Sequence, residues 1–224
     1  MRLKRIGHDS KVGCVLQTHR RDHFPQDRSA FNQKAVNYGS SWNLNGRGYN
    51  GTSDYVDAGN NPSLNLGTGA GKQLTISLWY YAKGISTSAQ FLIAKREASS
   101  LLTDYCIFTE GNVLVWGTGT VTDSGAWMYV SEPSRSTWHN VIVTLNQTGT
   151  ASGTKSIYIN GILGKTSSYA AKGSVTTKTL KIGETGLLGN PFNGSIDEVR
   201  IYNRALYHAK MTTGYFRRKP CIGA

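Results

Sequence analysis

Acidic residues are scarce in this chain: 13 Asp and Glu stand against 25 Lys and Arg in 224 residues, a formal net charge of +12. Long apolar runs are also missing. No window of about 18 apolar residues occurs, so no membrane-spanning helix is expected. The basic opening MRLKRIGHDSKVGCVLQTHRRDHF is followed by no apolar run of about 7 to 15 residues, so no secretory leader is expected and the chain reads as one kept on the cytosolic side. Cysteine is limited to Cys14, Cys106 and Cys221. An odd set closes no disulfide framework, and free thiols suit a reducing compartment. Cys106, inside DYCIFTE, reads as a small buried apolar residue.

Several catalytic and nucleotide-binding patterns are absent. No Gly-x-Ser-x-Gly elbow supports a serine nucleophile. LGTGAGKQ fails as a phosphate loop because Leu66 stands where the first glycine belongs and Gln73 where Ser or Thr is required, with a strand following instead of a helix. GETGLLGN spaces Gly183, Gly186 and Gly189 by three without a dinucleotide-binding context. His139 sits inside a strand and reads as a satisfied structural histidine.

What is abundant points to strands. The chain holds 26 Gly, 12 Tyr and 5 Trp with only 17% charged residues, a composition of short strands and tight turns. QLTISLWYYAKG alternates Leu74, Ile76, Leu78 and Tyr80 with Thr75, Ser77, Trp79 and Tyr81, a period of two with both faces partly covered. Further strands are expected at 55–58, 90–95, 105–109, 113–117, 127–131, 138–145, 156–159, 179–182 and 195–202. Asn160-Gly161 between two apolar runs signals a type I′ hairpin, since both central residues need positive φ. Asn50-Gly51 and Asn193-Gly194 read as turns. After the latter, Ile196, Glu198, Arg200 and Tyr202 are expected on one strand face and Ser195, Asp197, Val199 and Ile201 on the other. RALYHAKMTTGY, from Arg204, reads as a short helix ended near Gly214. The result is an all-β, two-sheet antiparallel jelly-roll sandwich in one domain.

FNGSIDEVRIYNRAL resembles the closing strand of the laminin-G-like, concanavalin A-like jelly-roll domains. NGTSDYVDAGNNPSLNL followed by LTISLWYYAKG resembles that family's opening strands, and TWHNVIVTLN with SIYINGILG its middle. The likeness covers residues 42–210 and implies the sandwich fold; it does not extend to residues 1–41, read from their charge as a basic N-terminal arm, or to 211–224, read as a basic tail. Catalytic relatives, the retaining β-glucanases, resemble one another in a Glu-x-Asp-x-x-Glu strand whose carboxylates share one face about 5 Å apart. Here only Asp197 and Glu198 occur, as neighbours, so a non-catalytic protein is expected.

The resemblance also implies calcium, a hard cation that takes several carboxylate and carbonyl oxygens. Asp197 with Asp54, or with carbonyls near Gly51 and Thr52, would supply them if the first and last strands are neighbours; alternatively Asp197 caps loop amides. Cys14, His19 and His23 resemble a zinc set that lacks its fourth ligand. For sugar stacking, Trp116, Trp127, Tyr129 and Tyr169 lie near expected turns, where an aromatic serves equally as core or platform. Asn50, Asn146 and Asn193 begin formal glycosylation sequons.

The charge is unevenly divided. Residues 1–41 hold eight basic residues against three acidic (+5), residues 204–224 five against none (+5), and the middle only +2. Such ends are electrostatic handles for an acidic surface. The first functional expectation is therefore a virion structural or decoration protein, on a bacteriophage head or tail, assembled in the host cytoplasm. Arg2, Lys4, Arg5, Arg20, Arg21, Arg217, Arg218 and Lys219 would grip other capsid subunits in an oligomeric assembly. The alternative is an extracellular carbohydrate-binding or adhesion module that takes surface glycans. Neither requires sequence-specific nucleic-acid contact.

Overall fold

In strand β6 (Gln73–Ala82), the alternate residues Leu74, Ile76, Leu78, Tyr80 and Ala82 are all at most 1% exposed. Thr75 and Ser77 between them are buried as well, so the strand is covered on both faces. It lies near the middle of an eight-stranded sheet. The computed structural model describes residues 14–17, 34–43, 46–66, 71–84, 86–96, 103–119, 125–149, 152–169, 176–185 and 191–206.

Besides β6, that sheet contains β1 (Cys14–Gln17), β3 (Ser41–Asn43), β4 (Gly46–Asn50), β11 (Trp138–Gln147), β12 (Gly153–Ile159), β13 (Ile162–Tyr169) and β15 (Asn193–Tyr202). Its order is β13-β12-β11-β6-β15-β4-β3, with β1 pairing the end of β15. The second sheet has seven strands: β2 (Val36–Tyr38), β5 (Tyr55–Asp57), β7 (Gln90–Arg96), β8 (Thr103–Glu110), β9 (Val113–Gly119), β10 (Trp127–Ser131) and β14 (Lys181–Ile182). Its order is β10-β9-β8-β7-β14-β5-β2, and among the described residues the strands of both sheets pair antiparallel. The expected all-β sandwich is what forms. Strands β1 and β2 lie within residues 1–41, so parts of the segment read as an arm add to the two sheets.

One continuous core fills the space between the sheets, with Leu74, Ile76, Leu78, Val141 and Val143 from the larger sheet meeting Ile93, Tyr105, Ile107, Leu114 and Trp116 from the smaller. Two buried lysines tie loops to this core. Lys95 Nζ donates to Asn60 Oδ1 at 2.8 Å and to the carbonyls of Thr176 and Lys178 at 3.1 and 3.0 Å. Lys155 Nζ donates to the carbonyl of Ala126 at 2.6 Å and lies 4.9 Å from the Trp116 ring. Burial pulls its pKa down to about 7, because the charged form loses its water.

Two sequence readings change in β15. Asn193-Gly194 is no turn: Asn193 pairs with Asn50, and Gly194 with Tyr49 and Ala82. The glycine is required because a side chain there would run into the Tyr81 carbonyl and the Phe192 ring. The expected two-face alternation also breaks. Glu198 takes φ 51° and the register shifts between Asp197 and Arg200, so Ile196, Val199 and Ile201 all reach the core. A β-bulge adds one residue and reverses which positions face inward. Residues 203–206 are not helical, and the rest of the expected C-terminal helix lies outside the described residues.

Candidate functional site

Val56 and Ile182 point into the core at 1% and 2% exposure, so their chain neighbours Tyr55, Asp57 and Lys181 project from the outer face of the seven-stranded sheet. Edge strand β2 adds Tyr38 directly opposite Tyr55. The two rings stack with centroids 4.4 Å apart and planes 14° off parallel, and Tyr38 remains 45% exposed. Lys181 Nζ lies 4.1 Å from the Tyr55 ring centre and pairs with Glu184 Oε2 at 3.0 Å. Asp57 accepts hydrogen bonds from the Gly59 amide and the Thr179 hydroxyl at 2.8 Å each. The result is a pre-stacked aromatic pair with one cation and two carboxylates beside it. Loss of water raises the Tyr55 pKa, against the opposing pull of Lys181, so the phenol stays neutral.

A second aromatic group occupies the other end of this sheet. Met128 is buried in the core, which turns Trp127 and Tyr129 outward. Trp127 stands edge-on to Phe108 at 5.5 Å, over an outer-face apolar cluster of Phe91, Ala94, Cys106, Phe108 and Val115. Tyr129 is 51% exposed. Five inter-strand steps separate β10 from β5, so the two groups lie about 24 Å apart.

The residues singled out for stacking thus part company. Tyr129 is open and Trp127 half-buried on the outer face, whereas Trp116 is fully buried between the sheets and offers no ring face to a ligand. Its position on β9 has the inward parity. Tyr169 is described only through its backbone, paired with Gly153; its ring lies outside the described residues. So do Arg2, Lys4, Arg5, Arg20, Arg21, Arg217, Arg218, Lys219, His19 and His23, and the side chain of Cys14. Cys106 is buried as expected, and burial pushes its thiol up to about 12. His139 is held by both ring nitrogens, Nε2 against the Ser134 carbonyl at 2.7 Å and Nδ1 against the Asn160 amide at 3.0 Å, as a structural histidine should be.

The carboxylates do not form the anticipated calcium site. Asp54 Oδ2 accepts from the Asn50 amide at 3.0 Å, and Asn50 faces Asn193 across the ladder. Asp197 is four residues further along β15, about 13 Å away at strand rise. Its Oδ1 accepts from the Glu198 amide at 2.9 Å. First and last strands are neighbours, as the reading required, but the two acids sit at different heights along them. Among the described residues no group of three His, Cys, Asp or Glu converges, and this donor set does not fit a hard cation.

Sequence reasoning missed Tyr38, Tyr55, Lys181 and Glu184. The signal was present in Tyr55-Val56-Asp57, where a core valine between polar neighbours marks two outward positions; the pairing with Tyr38 was not.

Residues 50–211 match the Concanavalin A-like lectin/glucanases superfamily. The chain belongs to that superfamily. Its fold is similar to the binding domain of botulinum neurotoxin serotype D/C, at TM-score 0.69 and 17% identity over 89% of this chain and 50% of that one. The binding domain of Paraclostridial Mosquitocidal Protein 1 is similar too, at TM-score 0.68 and 16% identity over 90% and 51%. A third similar structure is of botulinum neurotoxin type C, whose cell entry is dependent upon interaction with two ganglioside molecules; it gives TM-score 0.68 and 17% identity over 90% and 50%. The chain spans about half the length of these structures. No curated protein matches it in sequence.

Proposed function

We propose that this protein is a non-catalytic glycan-binding module whose ligand stacks on the outer face of the seven-stranded sheet. The observation that carries this reading is the exposed Tyr38 ring, pre-stacked on Tyr55, which carries Lys181, paired with Glu184, over its own ring. A sugar ring presents an apolar C–H face and a rim of hydroxyls, and such a surface meets both. Stacking on a second ring fixes Tyr38 before the ligand arrives, which lowers the ordering cost of binding. Tyr129 at the opposite end is a second platform. The superfamily's lectin members and the ganglioside-dependent toxin neighbour support the choice of ligand class.

A glycan array probed with the whole chain tests the reading. Binding to a defined set of glycans is expected, reduced about tenfold or more by Tyr38→Ala through loss of stacking, and unchanged by a chelator. Absence of binding to any glycan, or binding indifferent to both Tyr38→Ala and Tyr129→Ala, overturns it.

The virion reading retains one support, the division of charge between ends and middle. Its test is incorporation into particles of a full chain in which Arg2, Lys4, Arg5, Arg20 and Arg21 are replaced by serine, which keeps β1 and β2; unchanged incorporation sinks it.

A further inference from the structure

We propose that the tip of the β12–β13 hairpin inserts into an anionic lipid surface. Ile162 and Leu163 are the first two residues of β13 and are 74% and 49% exposed, although both are aliphatic. The turn before them has the geometry its sequence demands, with φ 53° at Asn160 and 80° at Gly161. It is also fastened down. The Asn160 amide donates to the Asn140 carbonyl at 2.8 Å, its side-chain Oδ1 accepts from the Asn140 amide at 3.0 Å, and its Nδ2 meets His139 Nδ1. A tip held this firmly presents its apolar side chains at little further entropic cost.

Their directions select the partner. Leu163 lies opposite Tyr158, whose ring packs with Ile142, Tyr202 and Leu206 on the outer face of the larger sheet. Ile162 lies opposite Ile159, which packs on the inter-sheet core. Paired residues share a face, so the two exposed aliphatics point to opposite sides of the ribbon. A protein surface docking on one side would cover one of them. A medium that surrounds the tip covers both.

Charge gives the headgroup. The hairpin, residues 153–169, contains no acidic residue, and Lys165 is exposed two positions beyond Leu163. Two aliphatic side chains in the acyl boundary with a lysine at headgroup level make a weak, reversible anchor. It would act beside the glycan platform and does not depend on it.

The experiment uses vesicles of phosphatidylcholine with and without phosphatidylserine. The full chain is expected to co-sediment with phosphatidylserine vesicles, and the double variant Ile162→Ser, Leu163→Ser to bind them about tenfold more weakly or worse. Because the basic ends alone can attract anionic vesicles, a second measurement places a polarity-sensitive dye on Ile162→Cys in a chain carrying Cys14→Ser and Cys221→Ser. A blue shift on adding phosphatidylserine vesicles shows insertion. Co-sedimentation without a blue shift, no co-sedimentation, or equal binding by the double variant overturns the proposal. So does a double variant that converts a dimer to a monomer without lipid, which would make a second copy the partner.

Discussion

Trp116 and Trp127 sit one residue out of register on neighbouring strands of one sheet: Trp116 faces Met128, and Trp127 faces Gly117. One step of parity separates their roles. Trp116 points inward, fully buried, with the Lys155 ammonium over its ring. Trp127 points outward onto Phe108, beside the exposed Tyr129. Identical residues on paired strands become a structural post and part of a surface, because pleating sends successive side chains to opposite faces. An aromatic is therefore assigned to a site by the face it shares with its strand neighbours, and proximity to a loop decides nothing.

The largest test of this contrast is Trp116→Ala. Emptying a core position of that size is expected to cost about 3–5 kcal/mol in chemical denaturation. The outward counterpart is reached through Gly117→Ala, without changing an aromatic. The added methyl would lie 2.8 Å from Cys106 Sγ and 3.1 Å from the Trp127 ring, so Cys106 must shift and Trp127 give way slightly, at about 1–3 kcal/mol. An unchanged denaturation midpoint would show that the outer cluster is looser than described.

Acidity distinguishes the two sides as well. Lys155 has its pKa lowered from 10.5 to about 7 in the folded protein. Between those values the unfolded chain holds the extra proton, so stability rises with pH across that window, by at most about 1.4 kcal/mol per pH unit. Below about pH 7 both states are protonated and this contribution to the slope vanishes. Lys155→Met is expected to flatten the rise, measured as denaturation midpoints from neutral to alkaline pH; a slope unchanged by the substitution would contradict the burial argument. The smallest effect belongs to Tyr129→Ala. At 51% exposure its loss is expected to shift stability by no more than about 0.5 kcal/mol, while glycan binding at that platform falls.

Much of the architecture was legible in the residues. The alternation of QLTISLWYYA, the Asn160-Gly161 turn and the extent of Trp127–Ser131 all follow from local preference and appear as read. The errors came where backbone from elsewhere intervenes. Asn193-Gly194 has turn chemistry, yet its glycine serves the close approach of the Tyr81 carbonyl. Glu198 carries no sign of a left-handed backbone, so the bulge that reverses parity in β15 could not be anticipated. The candidate site was harder still. Tyr38 and Tyr55 meet only because β2 and β5 are paired, and Lys181 joins them from a strand that begins 126 residues beyond Tyr55.

By itself the sequence determined that this chain builds strands, where its tightest hairpin turns, and that its charge gathers toward its ends. These are properties of short stretches, set by side-chain periodicity, backbone preference and composition. Only the tertiary structure decided which tryptophan is core, which tyrosines stack in the open, and that Asp54 and Asp197 stay apart. Those outcomes depend on register and parity between strands distant in the chain, and a single inserted residue reverses them.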